Sequence, residues 1–474
     1  MSNALHPVRN PRNGLIDYHF EITSAEQLQS LCGGLRAAQP VWAARGPGER
    51  AEIMERWAQA LRAEREAIIA ALHADTGRWA ETELEFDSIL QMLQRWGKAA
   101  PEWLQPAPPR ASGLPQIAVG LRQAPVPLVG VISPWNFPLL LSLIDAIPAL
   151  MCGCAVAIKP SEITPRFVAT LQRSLAQVPE LASVLCWVLG PGETGAQLVE
   201  QVDQIVFTGS VATGRKVGEQ AARRFIPAFL ELGGKDPAIV LADADIERAS
   251  AALAWGGMVN AGQSCLSIER IYVEAPIFET FARRLAQRVG ELGLCYPQRS
   301  SGRIGPLIAA RQAELIQAQL DDAFAKGARA LCGGCIVEHG GGLWCEPTVL
   351  IDVDHGMKIM TEETFGPILP VMSVPNAEAA LRLANDSAYG LSGAVFGDNH
   401  ARALALAQQL QVGAISVNDC ALTAIVHEGE KQSFKLSGLG GSRMGVNSLQ
   451  RFVRRQALLQ NAELQWDPWW FHQA

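Results

Sequence analysis

Apolar positions along this chain recur with two different periods. From 24 to 100 they fall at helical spacing with charged residues between them. Ser24 stands ahead of AEQLQSL as a helix cap, and 48–66 repeats the pattern with Arg and Glu on the open face. Around 107–125 the pattern gives way to Pro, Ser and Gly and then IAVGLRQAP, which predicts an exposed hairpin or bridging ribbon. Between 128 and 245 short apolar runs alternate with helical stretches. The expected strands are LVGVI at 128–132, CAVAIK at 154–159, SVLCWVL at 183–189, QIVFTG at 204–209 and AIVLA at 238–242, with helices starting near Pro138, Pro165, Gly195 and Thr213. Such alternation predicts a parallel, doubly wound sheet.

A second alternating region runs from about 268 to 420. ERIYVE opens it as a strand and PIFETFARRLAQRVGEL follows as a helix. Strands are expected near 349 and 368, a helix at 377–385, and strands at 393–396 and 413–417. The pattern predicts a second α/β domain, and no internal repeat or low-complexity segment interrupts it. The uncharged stretch from Gln123 to Ile144 is long enough to raise a membrane span, but Pro125, Pro127, Pro134, Pro138 and Asn136 disrupt a helix there. A buried parallel strand leading into a buried helix fits better.

Composition narrows the function classes. The 474 residues carry 40 basic and 47 acidic side chains, a net charge of -7, which disfavours nucleic acid and anionic membrane surfaces as partners. The opening MSNALHPVRNPRNG lacks the apolar core of a secretory signal, so a cytoplasmic location is expected. Ten cysteines in such a chain are expected to be free thiols, most of them small buried hydrophobes.

Six local patterns carry candidate chemistry. Asn260-Ala261-Gly262-Gln263-Ser264-Cys265 can present a sulfur on a tight turn. Alone, such a cysteine is more often packing. Glu231-Leu232-Gly233-Gly234-Lys235 offers a carboxylate as a base acting through water, or simply a solvated turn. Ser133-Pro134-Trp135-Asn136-Phe137-Pro138 follows LVGVI, and strand carboxyl ends are where open α/β sheets place ligands. Asn136 there can hold an oxyanion or merely cap the next helix. Lys159-Pro160-Ser161-Glu162 can meet ribose hydroxyls, and its carboxylate disfavours a 2′-phosphate; a surface turn is the plainer reading. Two glycine turns compete for cofactor phosphates. Gly190-Pro191-Gly192-Glu193-Thr194-Gly195 fits G-x-G-x-x-G but lacks the acidic residue about 20 positions on. Gly209-Ser210-Val211-Ala212-Thr213-Gly214 sets a hydroxyl and a helix amino-terminus at a phosphate.

In this order and at these separations, the patterns resemble the aldehyde dehydrogenase superfamily of the NAD(P)-dependent, hydrolytic type, over roughly residues 25–455. Pro347-Thr348, Glu363-Thr364-Phe365-Gly366-Pro367 and Lys435-Leu436-Ser437-Gly438 join the resemblance. It implies an α/β fold with a Rossmann-like cofactor domain (1–106 and 126–233), an α/β catalytic domain (234–445), and an oligomerisation ribbon with the C-terminal tail (107–125 and 446–474). The ribbon would join 107–125 to a strand near 449–459, and a homodimer or homotetramer follows from it. By resemblance Cys265 is the nucleophile, Glu231 the general base, and Asn136 with the Cys265 N–H the oxyanion hole. Lys159 and Glu162, with Ser161 between them, hold the adenosine ribose. Gly209, Ser210 and Gly214 face the pyrophosphate, Glu363 the nicotinamide ribose, and Phe365 the ring. Ser133, Trp135 and Thr208 line the cofactor cleft. The turn 190–195 becomes structural, the cofactor NAD rather than NADP, and the substrate a small-molecule aldehyde.

Four places depart from the family or stand outside it. The loop between Asn418 and Lys435, DCALTAIVHEGEKQSF, lacks a glycine pair and an arginine, which disfavours an acidic aldehyde. Ile144 replaces an aromatic found in many relatives, pointing to a wider or more aliphatic pocket. Cys332-Gly333-Gly334-Cys335 with His339 and Cys345 hints at a metal site, but the spacing occurs incidentally and no metal is expected. Trp466, Trp469, Trp470 and Phe471 pack on this or a partner subunit, or else cover a partner's substrate entrance. Two rivals to the hydrolytic dehydrogenase remain: a CoA-acylating enzyme, which needs no base at Glu231, and a non-catalytic member of the fold.

Overall fold

A computed structural model of the chain describes residues 4–461 and 470–471. Two twisted, mainly parallel sheets organise it. The first runs Leu185–Trp187, Ala155–Lys159, Leu128–Ile132, Gln204–Thr208, Ala228–Glu231 and Gly438–Leu439. Its central strands are buried on both faces, so they read as unbroken apolar runs. Helices Ala25–Ala44, Pro47–Ala63, Arg65–Thr76 and Ala80–Trp103 form a layer within the same core. Ser24 caps the first of these as expected, its hydroxyl accepting from the Gln27 N–H and the Gln27 amide closing the capping box.

The second sheet runs Arg329–Cys332, Thr348–Ile351, Ile368–Val374, Ile268–Glu274, Asp236–Val240, Ser392–Phe396 and Ala414–Val417. Each sheet carries one antiparallel edge strand, 438–439 against 228–231 and 329–332 against 348–351. The run AIVLA, expected to end the first alternating region, pairs instead with 268–274 and 392–396 in the second sheet. An apolar run reads alike in either sheet, and only pairing assigns it. The strand Ala228–Glu231 and the helix Ala310–Ala325 were not expected from the pattern. The first of these is four residues long and half-buried for most of its length, so its period is weak.

Ile117–Pro125 pairs antiparallel with Val453–Asn461 along its whole length, with Arg110–Ala111 on its other side. This is the expected ribbon, its last strand a few residues later than anticipated. Among the described residues no helix is long and apolar enough to cross a membrane. Leu128–Ile132 is instead a fully buried strand followed by the buried helix Pro138–Leu143. Trp466 and Trp469, with the reading of the tail that depends on them, lie outside the described residues.

Candidate active site

The strand ends and turns of both sheets converge on one cleft of about 230 Å³. Trp135, Asn136, Thr208, Gly209, Ser210, Glu231, Cys265, Glu363 and Phe365 all line it, with Leu141, Leu232, Gln312 and Leu315 between them.

Cys265 is brought there by a left-handed turn. The helix Ile246–Met258 ends, and Asn260, Ala261 and Gly262 follow with φ of 55°, 53° and 66°. Buried hydrogen bonds hold that costly backbone. The Asn260 amide donates to the Gln263 carbonyl at 2.9 Å and to the Asn136 carbonyl at 3.1 Å. Gln263 returns a bond to the Asn260 carbonyl at 3.1 Å, and its Oε1 accepts from the Ile308 N–H at 2.9 Å. Asn136 joins the same knot, Nδ2 donating to the Gln263 carbonyl at 3.0 Å. Burial pushes the Cys265 thiol up to about 12, while Lys431 and Arg443 act in the opposite direction.

Glu231 is the last residue of its strand, with Thr208 opposite it on one side and Gly438 on the other. Beyond it the two glycines let Glu363 come close. The Gly234 N–H donates to Glu363 Oε1 at 3.0 Å, and a methyl group on Gly233 would lie 2.5 Å from that carboxylate. Burial, then the nearby Glu269, pushes the Glu363 carboxyl up to about 8. The turn 363–367 is riveted from below. Lys235 Nζ donates to Glu269 Oε2 and to Thr364 Oγ1, both at 2.8 Å, and Glu269 accepts the N–H groups of Thr364 and Phe365 at 2.8 Å. Phe365 then meets Trp135 edge to face, centroids 5.3 Å apart.

Ser210 caps the helix Val211–Arg223, so that helix's amino-terminus opens at the cleft. Lys159 and Glu162 form an ion pair at 2.8 Å beyond the strand Ala155–Lys159, with Ser161 buried between them. Burial raises the Glu162 carboxyl, but the charge and hydrogen bond of Lys159 outweigh this and hold it below its ordinary value. Lys159, Ser161, Glu162, Ser133 and Gly214 are not among the residues lining the cleft. The Ser133 hydroxyl is buried against that of Ser142 at 2.8 Å, and Gly214 lies under Leu232, which a methyl group would strike at 2.5 Å. Gly190 likewise sits on Thr194, so the 190–195 turn is closed on itself. Ile144 packs against the first core, and Leu141 is the residue of that helix which reaches the cleft. Cys335 donates its thiol to Glu346, and among the described residues no group of three or more His, Cys, Asp or Glu could hold a metal.

The sequence patterns missed a buried charge cluster behind the cleft. Asp145 accepts from Arg443 Nη2 at 2.8 Å and Arg451 Nη2 at 2.6 Å, and Arg443 also donates to Thr208 Oγ1 at 2.6 Å, opposite Glu231. One signal pointed to it: Asp145 is the lone charge in the apolar run PLLLSLIDAIPALM. Arg78, in the turn between two helices, and Glu85 carried no such signal among their polar neighbours.

A thiol facing an amide and a carboxylate, with a helix amino-terminus at the same cleft, describes an enzyme acting on a carbonyl beside a phosphate-bearing cofactor. The chain belongs to the aldehyde dehydrogenase family, whose pattern it matches over residues 2–458. It is 35% identical over 468 residues to 4,4'-diapolycopene aldehyde oxidase from a Methylomonas species, covering 98% of this chain and 87% of that protein. It is also 35% identical over 453 residues to a Mycolicibacterium smegmatis protein provisionally named an NADP(+) succinate-semialdehyde dehydrogenase, covering 94% of this chain and 87% of that one. A solved structure from Anabaena variabilis, provisionally named aldehyde dehydrogenase PutA, superposes with a TM-score of 0.98 at 54% identity, covering 99% of this chain and all of that one. Betaine aldehyde dehydrogenase from Staphylococcus aureus, solved with NAD+, gives a TM-score of 0.91 at 29% identity, covering 100% of this chain and 95% of that one.

Proposed function

We propose that this chain oxidises an aldehyde to its carboxylic acid with NAD, through a thiohemiacetal and then a thioester on Cys265. The observation that carries the reading is the convergence of Cys265, Asn136 and Glu231 on one cleft. The cofactor suits the residues present: a capped helix amino-terminus at Ser210 for phosphate, the Lys159–Glu162 pair for ribose, and the Trp135–Phe365 edge for a flat ring. When bound, it supplies the hydride acceptor.

The protein's part begins when the Cys265 thiol gives up its proton to solvent, leaving Glu231 for the hydrolytic step. The thiolate attacks the carbonyl carbon, and the electron pair moves to oxygen, where Asn136 Nδ2 and the Cys265 N–H hold it. Oxidation leaves a thioester on Sγ. Glu231 then takes a proton from water, the hydroxide attacks the acyl carbon, and the carbon–sulfur bond breaks to release the acid and restore the thiolate. NADH production over aliphatic, aromatic and acidic aldehydes, with and without CoA, tests this. Turnover that requires CoA and yields an acyl-CoA would replace hydrolysis with thiol transfer.

Glu162 supports NAD over NADP, because a 2′-phosphate would meet its carboxylate. Glu162→Gln should narrow the preference for NAD, read as the ratio of kcat/KM values. The division of the chain at 233/234 is supported by the hydrophobic clusters: the first takes in Leu232, and the other two begin at Ala238 and Ile239. The strand Val453–Asn461 ends its sheet and exposes Leu459, which supports a homodimer or homotetramer, testable by light scattering.

A further inference from the structure

An ion pair buried in the helical layer grips the oxyanion side of the cleft from behind. Arg78 and Glu85 are 3% and 0% exposed, and neither is among the residues that line the cleft. Arg78 Nη2 pairs with Glu85 Oε1, while Nη1 donates to the main-chain carbonyl of Asn136 at 2.5 Å. The other carboxylate oxygen, Glu85 Oε2, accepts the N–H groups of Leu139 at 3.0 Å and Leu140 at 2.9 Å. Among the described residues these bonds supply the cap of the helix Pro138–Leu143. The guanidinium also lies 4.5 Å from the centre of the Phe137 ring. A second donor, Asn260 Nδ2, reaches the same Asn136 carbonyl at 3.1 Å, and the Asn260 N–H is tied to Glu81 Oε1 at 3.1 Å. The backbone from 136 to 140 is thus held by groups from two other parts of the chain.

A buried Arg–carboxylate pair is a poor source of stability, because apolar residues of the same volume often do as well or better. What it offers here is direction. Both ends of the pair are spent on the segment that aims the Asn136 side chain, and the fork of the guanidinium fixes the angle between carboxylate and carbonyl.

We propose that Arg78, oriented by Glu85, is a positioning residue for the oxyanion hole, acting through the main chain of Asn136. The inference rests on the reading of Asn136 as oxyanion donor. Lysine at 78 keeps the charge but loses the fork, so the carbonyl and the carboxylate are no longer held at once.

The test is a double-mutant cycle with Arg78→Lys, Asn136→Ala and the pair combined, scored by kcat/KM for aldehyde oxidation. Alkylation of Cys265 by iodoacetamide, which develops no oxyanion, is the second readout. Asn136→Ala is expected to lose about 10²–10³, and Arg78→Lys about tenfold, mainly in kcat. In the Asn136→Ala background the Arg78 change should cost less than about twofold, because its route is already gone. Alkylation by all three variants should stay within about twofold of the parent. Equal costs in both backgrounds, or alkylation falling in step with oxidation, overturn the proposal while leaving Asn136 in place. Near-normal oxidation by Asn136→Ala overturns the oxyanion reading itself, and the proposal with it. If Arg78→Lys does not fold, Glu85→Gln carries the same cycle, since its amide oxygen can stand where Glu85 Oε2 accepts from Leu139 and Leu140.

Discussion

Gly262 is where the turn that carries Cys265 touches the turn that carries Glu363 and Phe365, and alanine there should damage both. Its φ is 66°, a region that costs an L-residue about 1–2 kcal/mol. The added methyl would lie 2.1 Å from the Gly366 carbonyl oxygen and 2.8 Å from the Pro367 nitrogen. Both are main-chain atoms, in a turn whose Thr364 and Phe365 N–H groups are held by Glu269, so no side chain can swing aside. Overpacking of this kind costs about 1–3 kcal/mol, giving a total of about 2–5 kcal/mol for Gly262→Ala. Some of this will appear as lost stability, read from the urea midpoint, and some as displacement of the sulfur. A shift of about 1 Å at a reacting atom can cost about 10² in rate, so kcat/KM should fall by that order even where the variant folds. Gly97 is the control: it lies inside the helix Ala80–Trp103 with open space where a methyl would go, and Gly97→Ala should stabilise by about 0.5–1 kcal/mol. A Gly262→Ala enzyme within about 0.5 kcal/mol and twofold of the parent would refute the reasoning.

Glu231→Gln should give a burst of NADH of about one per site and then stall, with an acyl group on Cys265 visible by mass spectrometry; steady turnover at neutral pH would remove Glu231 as the base. Asp145→Asn should destabilise by about 3 kcal/mol or more at neutral pH, since it leaves Arg443 and Arg451 buried beside a neutral group. The sign follows from Asp145 itself: burial raises its carboxyl, but the two guanidiniums more than reverse this and hold it below its ordinary value. Its contribution is therefore complete above the unfolded value of about 3.9 and is lost as the pH falls through the folded one. The gap between Asp145→Asn and parent urea midpoints should close in acid, and a gap that widens there contradicts the assignment.

Much of the molecule was legible before any coordinates. Buried parallel strands are written as short apolar runs between glycine and proline signals, so 128–132, 204–208, 268–274 and 392–396 fell close to where the pattern put them. The helices of 25–103 were equally plain, because one face of each is apolar at helical spacing. The family resemblance then named Cys265, Asn136, Glu231, Glu363 and Phe365, all of which line one cleft.

Sequence by itself thus determined the kinds of element, the ribbon and several of the side chains that line the cleft, because these depend on period and on local chemistry. The apolar period alone did not decide which sheet AIVLA would join, since an apolar strand satisfies either; it was the family resemblance that set it beyond 233 with the second domain. Nor did sequence show that Leu141 rather than Ile144 reaches the cleft, which depends on how the helix after Asn136 turns. Only the tertiary structure brought Arg78, separated by 58 positions, and Asn260, separated by 124, onto the Asn136 carbonyl, or set Arg443 and Arg451 on Asp145. A charge looks the same in sequence whether it faces water or is buried, and its partner is chosen by packing.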